Sequence, residues 1–209
     1  MIKKTGQCWT IADFELRLYC YFTMSSLSYR ILPNPDDNTH EVRLIVDGTD
    51  WIGEGHLGLD PPDLVSQLTE ERRSRLILGR CGCGVLGCDD LVVDIKRTTR
   101  SVEWSCLNRK PIVFDTDHFD NQVRTLANDH TWEPVGRTVE RRLTEIFSGK
   151  ITDDGYVYDW SSTRIQPNLV IISVTKEGHQ KLLEFSWDGE SVVSALRRGG
   201  QFLRERFDD

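Results

Sequence analysis

The sequence predicts an α+β protein, with an antiparallel, meander-rich N-terminal half and a mixed α+β C-terminal half. Three observations carry this expectation. Apolar and polar residues alternate with a period of two from Phe14 to Phe22, as they do on a half-buried strand. Residues 76–107 hold three strand-like runs separated by short turn-rich stretches. From about Lys110 onward, apolar spacings of three and four take turns with strand-like runs, so helices enter. With 209 residues, the chain is expected to form subdomains at 1–109 and 110–209, or one continuous domain.

After the first alternating run, residues 29–32 read as a short strand. Pro33-Asn34-Pro35-Asp36-Asp37-Asn38 follows as a loop, because proline and asparagine impose turn geometry. Residues 41–47 return, and Asp47-Gly48 ends them. Asp60-Pro61-Pro62-Asp63 then starts a helix to about Arg72, with an aspartate cap and proline at the first turn. The next strands are expected at 76–83, 91–97 and 102–107. A four-residue loop at 98–101 sets Ile95 opposite Trp104, Val93 opposite Cys106 and Lys96 opposite Glu103, a register with apolar and opposite-charge pairs on opposite faces. A loop at 84–87 would set Cys83 opposite Cys88, Leu78 opposite Val93 and Leu76 opposite Ile95. Both registers leave Leu76, Leu78, Val93, Ile95, Val102, Trp104 and Cys106 on one face. In the second half, residues 111–114 read as a strand, and Asp117 as the cap of a helix through Asn128. A second helix spans 137–148 and stops at Gly149. Strands follow at 156–160, 169–175 and 181–187, and a final helix at 191–207 is weakened by Gly199-Gly200.

Composition excludes several classes of function. A net charge of −7 argues against a broad nucleic-acid surface. No run of 18 uncharged apolar residues exists, so no membrane helix is expected. Charges at Asp13, Glu15 and Arg17 interrupt the place where a signal peptide would need its apolar stretch, which points to the cytoplasm. In that reducing compartment the six cysteines are more readily metal ligands, redox groups or buried thiols than disulfides.

The segment Arg80-Cys81-Gly82-Cys83-Gly84-Val85-Leu86-Gly87-Cys88-Asp89-Asp90 concentrates the functional question. In the expected hairpin, Cys81, Cys83 and Cys88 converge on the face away from the apolar layer, and glycines let the loop fold. Three readings stay open: incidental thiols in a tight glycine turn, which leads; a zinc site, since zinc favours thiolates; and a cross-strand disulfide or redox pair. A structural zinc site needs a fourth protein ligand. Cys106 lies about 16 Å along an extended strand from Cys88 and on the other face. His56, in Gly53-Glu54-Gly55-His56-Leu57-Gly58, sits in a loop that could reach.

Other candidates have plainer explanations. Gly53-x-Gly55-x-x-Gly58 matches a dinucleotide-loop string, but Leu59-Asp60-Pro61-Pro62 follows it, so no helix opens in place. Asp89, Asp90, Asp115, Asp117 and Asp120 suit loops and caps. His118 has no nucleophile tied to it, and His40, His130 and His179 beside turns are expected to be solvated. Arginine-rich stretches at 72–75 and in the final helix alternate with acids as solvated faces do.

The run Gly79-Arg80-Cys81-x-Cys83-Gly84-x-x-Gly87-Cys88, the hairpin ending in Val102-x-Trp104, Trp132-Glu133 before Arg137-Thr138-Val139, Trp160-Ser161 and Trp187-Asp188-Gly189 together resemble a family of small bacterial proteins, many actinobacterial. That resemblance implies a bacterial cytoplasmic origin and assigns neither activity nor catalytic residues. The expected function is therefore a non-enzymatic binding or interaction protein, immunity-like or accessory, whose acidity suits a basic protein partner. The alternative is a small zinc protein, structural or catalytic, or a thiol-redox protein, centred on Cys81, Cys83 and Cys88.

Overall fold

The computed structural model describes residues 24–34, 39–70, 73–83, 85 and 87–207; the strand expected over 14–22, with Cys8 and Cys20, lies outside them. Among the described residues the fold is α+β, with four helices and eleven strands in three antiparallel sheets. The chain divides into two compact units, residues 1–129 and 130–209, so that the segment 110–129 packs with the first unit.

In the first unit, β1 (Leu27–Asn34), β2 (Thr39–Val46) and β3 (Thr49–Asp50) form one sheet in that order. A five-stranded meander follows from β4 (His56–Gly58), β5 (Arg75–Cys81), β6 (Leu91–Arg97), β7 (Ser101–Ser105) and β8 (Ile112–Asp115). Helix α1 (Pro61–Thr69) lies between β4 and β5, and α2 (Thr116–Asn128) follows β8. Both sheets and both helices contribute to one core. Val42, Leu44, Leu64, Leu76, Leu78, Val93, Val102, Trp104, Phe114 and Phe119 are almost fully buried there. Trp104 stands at its centre, 4.9 Å from Phe114, 5.8 Å from Phe119 and 5.7 Å from Trp51, in the tilted and edge-on geometries aromatic rings favour.

The β6–β7 register is the expected one, with Ile95 opposite Trp104 and Lys96 opposite Glu103. The β5–β6 register is not. Leu76 faces Val93, Ile77 faces Val92 and Gly79 faces Leu91, with a bulge between Ile77 and Gly79. The reason is loop length. Strand β5 ends at Cys81 and β6 starts at Leu91, so residues 82–90 form the connection and Cys83 and Cys88 are turn residues rather than ladder partners. A shift of two residues keeps Leu76 and Val93 on the core face, because side chains repeat every two residues.

Three smaller corrections follow from local geometry. Helix α2 is capped by Asp115, not Asp117: the last residue of β8 already has extended backbone, and its carboxylate accepts the His118 amide at 3.0 Å. Helix α1 stops at Thr69, where Glu70 turns extended. His40, early in β2, is buried rather than solvated.

In the second unit, α3 (Val135–Phe147) precedes β9 (Val157–Ser162), β10 (Leu169–Lys176), β11 (His179–Ser186) and α4 (Val192–Arg206). The sheet order is β11-β10-β9. Val170, Ile172 and Val174 of β10 meet Val139, Leu143 and Phe147 of α3 and Ala195 and Phe202 of α4 in the core. Glu177 (φ 49°) and Gly178 (φ 80°) make the two-residue turn between β10 and β11. Helix α4 runs through Gly199-Gly200 unbroken, because Gly199 is where it meets α3: a Cβ there would lie 2.5 Å from Leu143 Cδ2.

Candidate metal centre

Cys81 is the final residue of β5, and two turns separate it from β6, one through Gly82-Cys83 and one through Gly87-Cys88. Gly87 has φ 82°, a left-handed conformation open to glycine and strained for residues with a Cβ. This path brings the Sγ atoms of Cys81, Cys83 and Cys88 within 4.8 Å of one another. All three are free thiols, Cys81 half-buried and the other two exposed. Sulfurs on a tetrahedral zinc ion with bonds near 2.3 Å sit about 3.8 Å apart, so the observed cluster needs only a small contraction.

The electrostatics of the cluster follow from its crowding. The Cys83 thiol is shifted below its ordinary range, chiefly because the Val85 amide hydrogen-bonds to it, with Cys81 a second donor. The Cys83 amide in turn donates to Cys81 Sγ at 3.5 Å. Cys88 is pushed up to about 11, first by its hydrogen bonds to Cys83 and Cys81 and then by their negative charge. The first deprotonation is therefore favoured at Cys83 and the last opposed at Cys88, and among the described residues no cation is paired with the three sulfurs. A divalent cation held by Cys81, Cys83 and Cys88 would supply that charge in place of the thiol protons. Soft thiolate donors select zinc or similarly thiophilic ions over magnesium or calcium.

His56 does not sit in a loose loop. It opens β4, which pairs antiparallel with β5, and its ladder partner is Cys81. His56 Nε2 is also 3.8 Å from Oδ2 of Asp89, which is next in sequence to Cys88. The glycine string explains the strand. Gly58 carries no side chain because a Cβ would lie 2.2 Å from the Val42 carbonyl oxygen, where β4 bridges to β2 through the Val42 amide and the Leu59 oxygen at 2.8 Å. Gly79, opposite Gly58, is likewise crowded: a Cβ there would lie 3.1 Å from the Leu57 oxygen. Of the Gly53–Gly58 string only Gly58 is thus required by packing, and the helix after it opens only at Pro61.

Sequence reasoning missed Arg43. Although it alternates within the apolar run of β2, it is 8% exposed and ties the 50–56 segment together. Its Nε donates to Asp50 at 2.8 Å, Nη2 to the Gly53 oxygen at 2.6 Å, and Nη1 to the His56 oxygen at 2.8 Å. The available signal was a charged residue in the middle of Val42-x-Leu44-Ile45-Val46. Such a position demands fixed partners, because a buried guanidinium is costly without them.

The remaining candidates separate from the cluster. Cys106 is half-buried against the core, as expected, and takes no part in the sulfur cluster. His118 is occupied structurally, its Nε2 accepting the Leu27 amide at 2.9 Å. Asp90 accepts the Gly87 amide at 2.9 Å, and Asp120 pairs with Arg97, which leaves both in structural roles. His56, Asp89, Asp90, Cys106 and Arg109 border a cavity of about 480 Å³ beside the centre. A second cavity, of about 570 Å³, is bordered by Arg73 and Arg97, each paired with an acid, and by Arg124. Neither a protein-family model, nor a curated protein, nor a solved structure matches this chain.

Proposed function

We propose that this protein is a non-enzymatic zinc-binding protein whose metal is held by Cys81, Cys83 and Cys88. The observation that carries the reading is the convergence of three free sulfurs within 4.8 Å at the end of β5. Amide donors to Cys83 and Cys81 support it, since such bonds stabilise anionic sulfur. The metal's role is structural: it fastens the ends of a nine-residue connection that carries few apolar anchors. Elemental analysis of protein purified without added metal tests the reading. About one zinc per chain, lost in Cys83→Ser and Cys88→Ser together, supports it. Metal-free protein that takes up no zinc on titration returns the turn to incidental thiols.

A second reading, binding of a basic protein partner, is favoured by the outer face of the β9–β11 sheet. Leu182, Ser173 and Trp160 lie in one row there, next to Gln180, Thr175 and Val157; Leu182 and Val157 are 56% and 44% exposed, while Ser173 in the central strand is buried. Net charge −7 suits such a partner. A stoichiometric complex abolished by Leu182→Glu at unchanged stability supports this reading. A complex that tolerates the substitution removes the face from it.

A further inference from the structure

We infer that His56 is the fourth ligand of the centre, oriented by Asp89, so that the metal closes into a three-sulfur, one-nitrogen tetrahedron and staples strand β4 to the β5–β6 connection. The inference rests on the three-cysteine reading above and adds the ligand that the reading leaves open.

Three independent observations lead to it. First, His56 and Cys81 are ladder partners, and cross-strand partners in an antiparallel pair project to the same face with Cβ atoms about 4.5–5.5 Å apart. The imidazole is not among the groups within 4.8 Å of all three sulfurs, so completing the tetrahedron requires its ring to turn toward them on binding, to a zinc–nitrogen bond of about 2.0–2.1 Å. Second, the ring is 20% exposed and has a carboxylate near one nitrogen, Asp89 Oδ2 at 3.8 Å from Nε2, a gap that a small side-chain movement closes to a hydrogen bond. Metal-binding histidines characteristically give their second nitrogen to such a partner, which fixes the tautomer and leaves the other nitrogen's lone pair for the metal. Third, the His56 main chain is anchored. Arg43 holds its carbonyl, and Gly58 seats β4 against β2. A strand of three residues is otherwise too short to define a ligand position, and these supports belong to a residue whose placement matters.

The chemistry follows from the donor set. Three thiolates and a neutral imidazole give a closed shell with no open position for water, the arrangement of structural rather than catalytic zinc. Asp89 and Arg43 act as positioning residues, one through the ring and one through the main chain.

X-ray absorption at the zinc edge of the full-length protein tests this directly. The expected first shell is three sulfurs near 2.3 Å and one nitrogen near 2.0–2.1 Å, with outer-shell scattering from an imidazole ring. In His56→Ala that outer-shell signal disappears. His56→Cys restores a four-ligand shell, now all sulfur. Asp89→Asn, at an exposed side chain, keeps the imidazole signal and weakens zinc affinity about 10–100-fold, the usual consequence of removing an outer partner. Wild-type protein that binds zinc through three sulfurs without an imidazole signal overturns His56 as ligand and leaves the three-cysteine site standing. Wild-type protein that binds no zinc overturns both. An unchanged affinity in Asp89→Asn, with the imidazole signal intact, removes the role given to Asp89.

Discussion

Replacing Gly58 by alanine probes the joint on which the centre is built. A Cβ at this position would lie 2.2 Å from the Val42 carbonyl oxygen and 2.9 Å from its carbon. Both atoms are main chain, so no rotamer change relieves the contact and β4 must move away from β2. Overpacking of this kind costs about 1–3 kcal/mol. Loss of the Val42–Leu59 hydrogen bond adds about 1 kcal/mol. The stiffer unfolded chain offsets about 0.4–1 kcal/mol. The net destabilisation is about 2 kcal/mol, or about 8 °C in the melting of a unit of this size. Gly55→Ala is the control, since a Cβ there meets nothing within 4 Å. Calorimetry gives the first comparison, and hydrogen exchange at the Val42 amide the second, because that amide loses its acceptor only in the Gly58 variant. A Gly58→Ala protein that melts within about 2 °C of the Gly55→Ala protein, with Val42 still protected, refutes the argument that close backbone approach requires glycine here.

Other tests concern the second unit. Glu140 is 7% exposed and its Oε1 accepts from the Thr163 amide at 2.8 Å, from Ser162 Oγ at 3.3 Å and from Arg164 Nε at 3.2 Å. Glu140→Ala is therefore expected to destabilise by about 3–5 kcal/mol in urea unfolding, with Glu140→Gln losing less; equal losses in the two would count against a charge-based role. The two helix glycines predict opposite signs. Gly199→Ala meets Leu143 and lowers stability by about 1 kcal/mol, whereas Gly200→Ala, with only Arg204 Nη1 at 3.9 Å, raises it by up to about 1 kcal/mol. Asp154 is held down to about 2 by hydrogen bonds from Lys181 first and Thr152 second. Its folded value lies below the ordinary 3.8, so its contribution is complete above about pH 4 and is lost as pH falls through 2. Lys181→Met should move that carboxyl's titration toward 3.8 by NMR, and an unmoved titration discounts the pairing.

Much of the local structure was legible because it depends on short-range periodicity. Lys96 opposite Glu103 and Ile95 opposite Trp104 could be read from a four-residue turn. Helices α3 and α4 follow from apolar spacing and agree with their expected bounds to within two residues. The sulfur cluster was legible for another reason: glycine density around three cysteines restricts the chain to compact paths. Its register was not. Pairing Cys83 with Cys88 assumed the shortest loop, and the sequence carries no term for the bulge at residues 77–79 that packing of β5 on β6 introduces.

The sequence alone thus determined which residues alternate, which stretches coil, and that sulfur gathers at one turn, since each depends on neighbours a few positions apart. Tertiary structure decided what stands next to that turn. His56 lies 25 positions before Cys81, and only the antiparallel pairing of β4 with β5 makes them partners. Arg43 and Gly58 have meaning only once β2 and β4 touch. Contacts of that range depend on how sheets close over a shared core, and that is set by the whole chain rather than by any window of it.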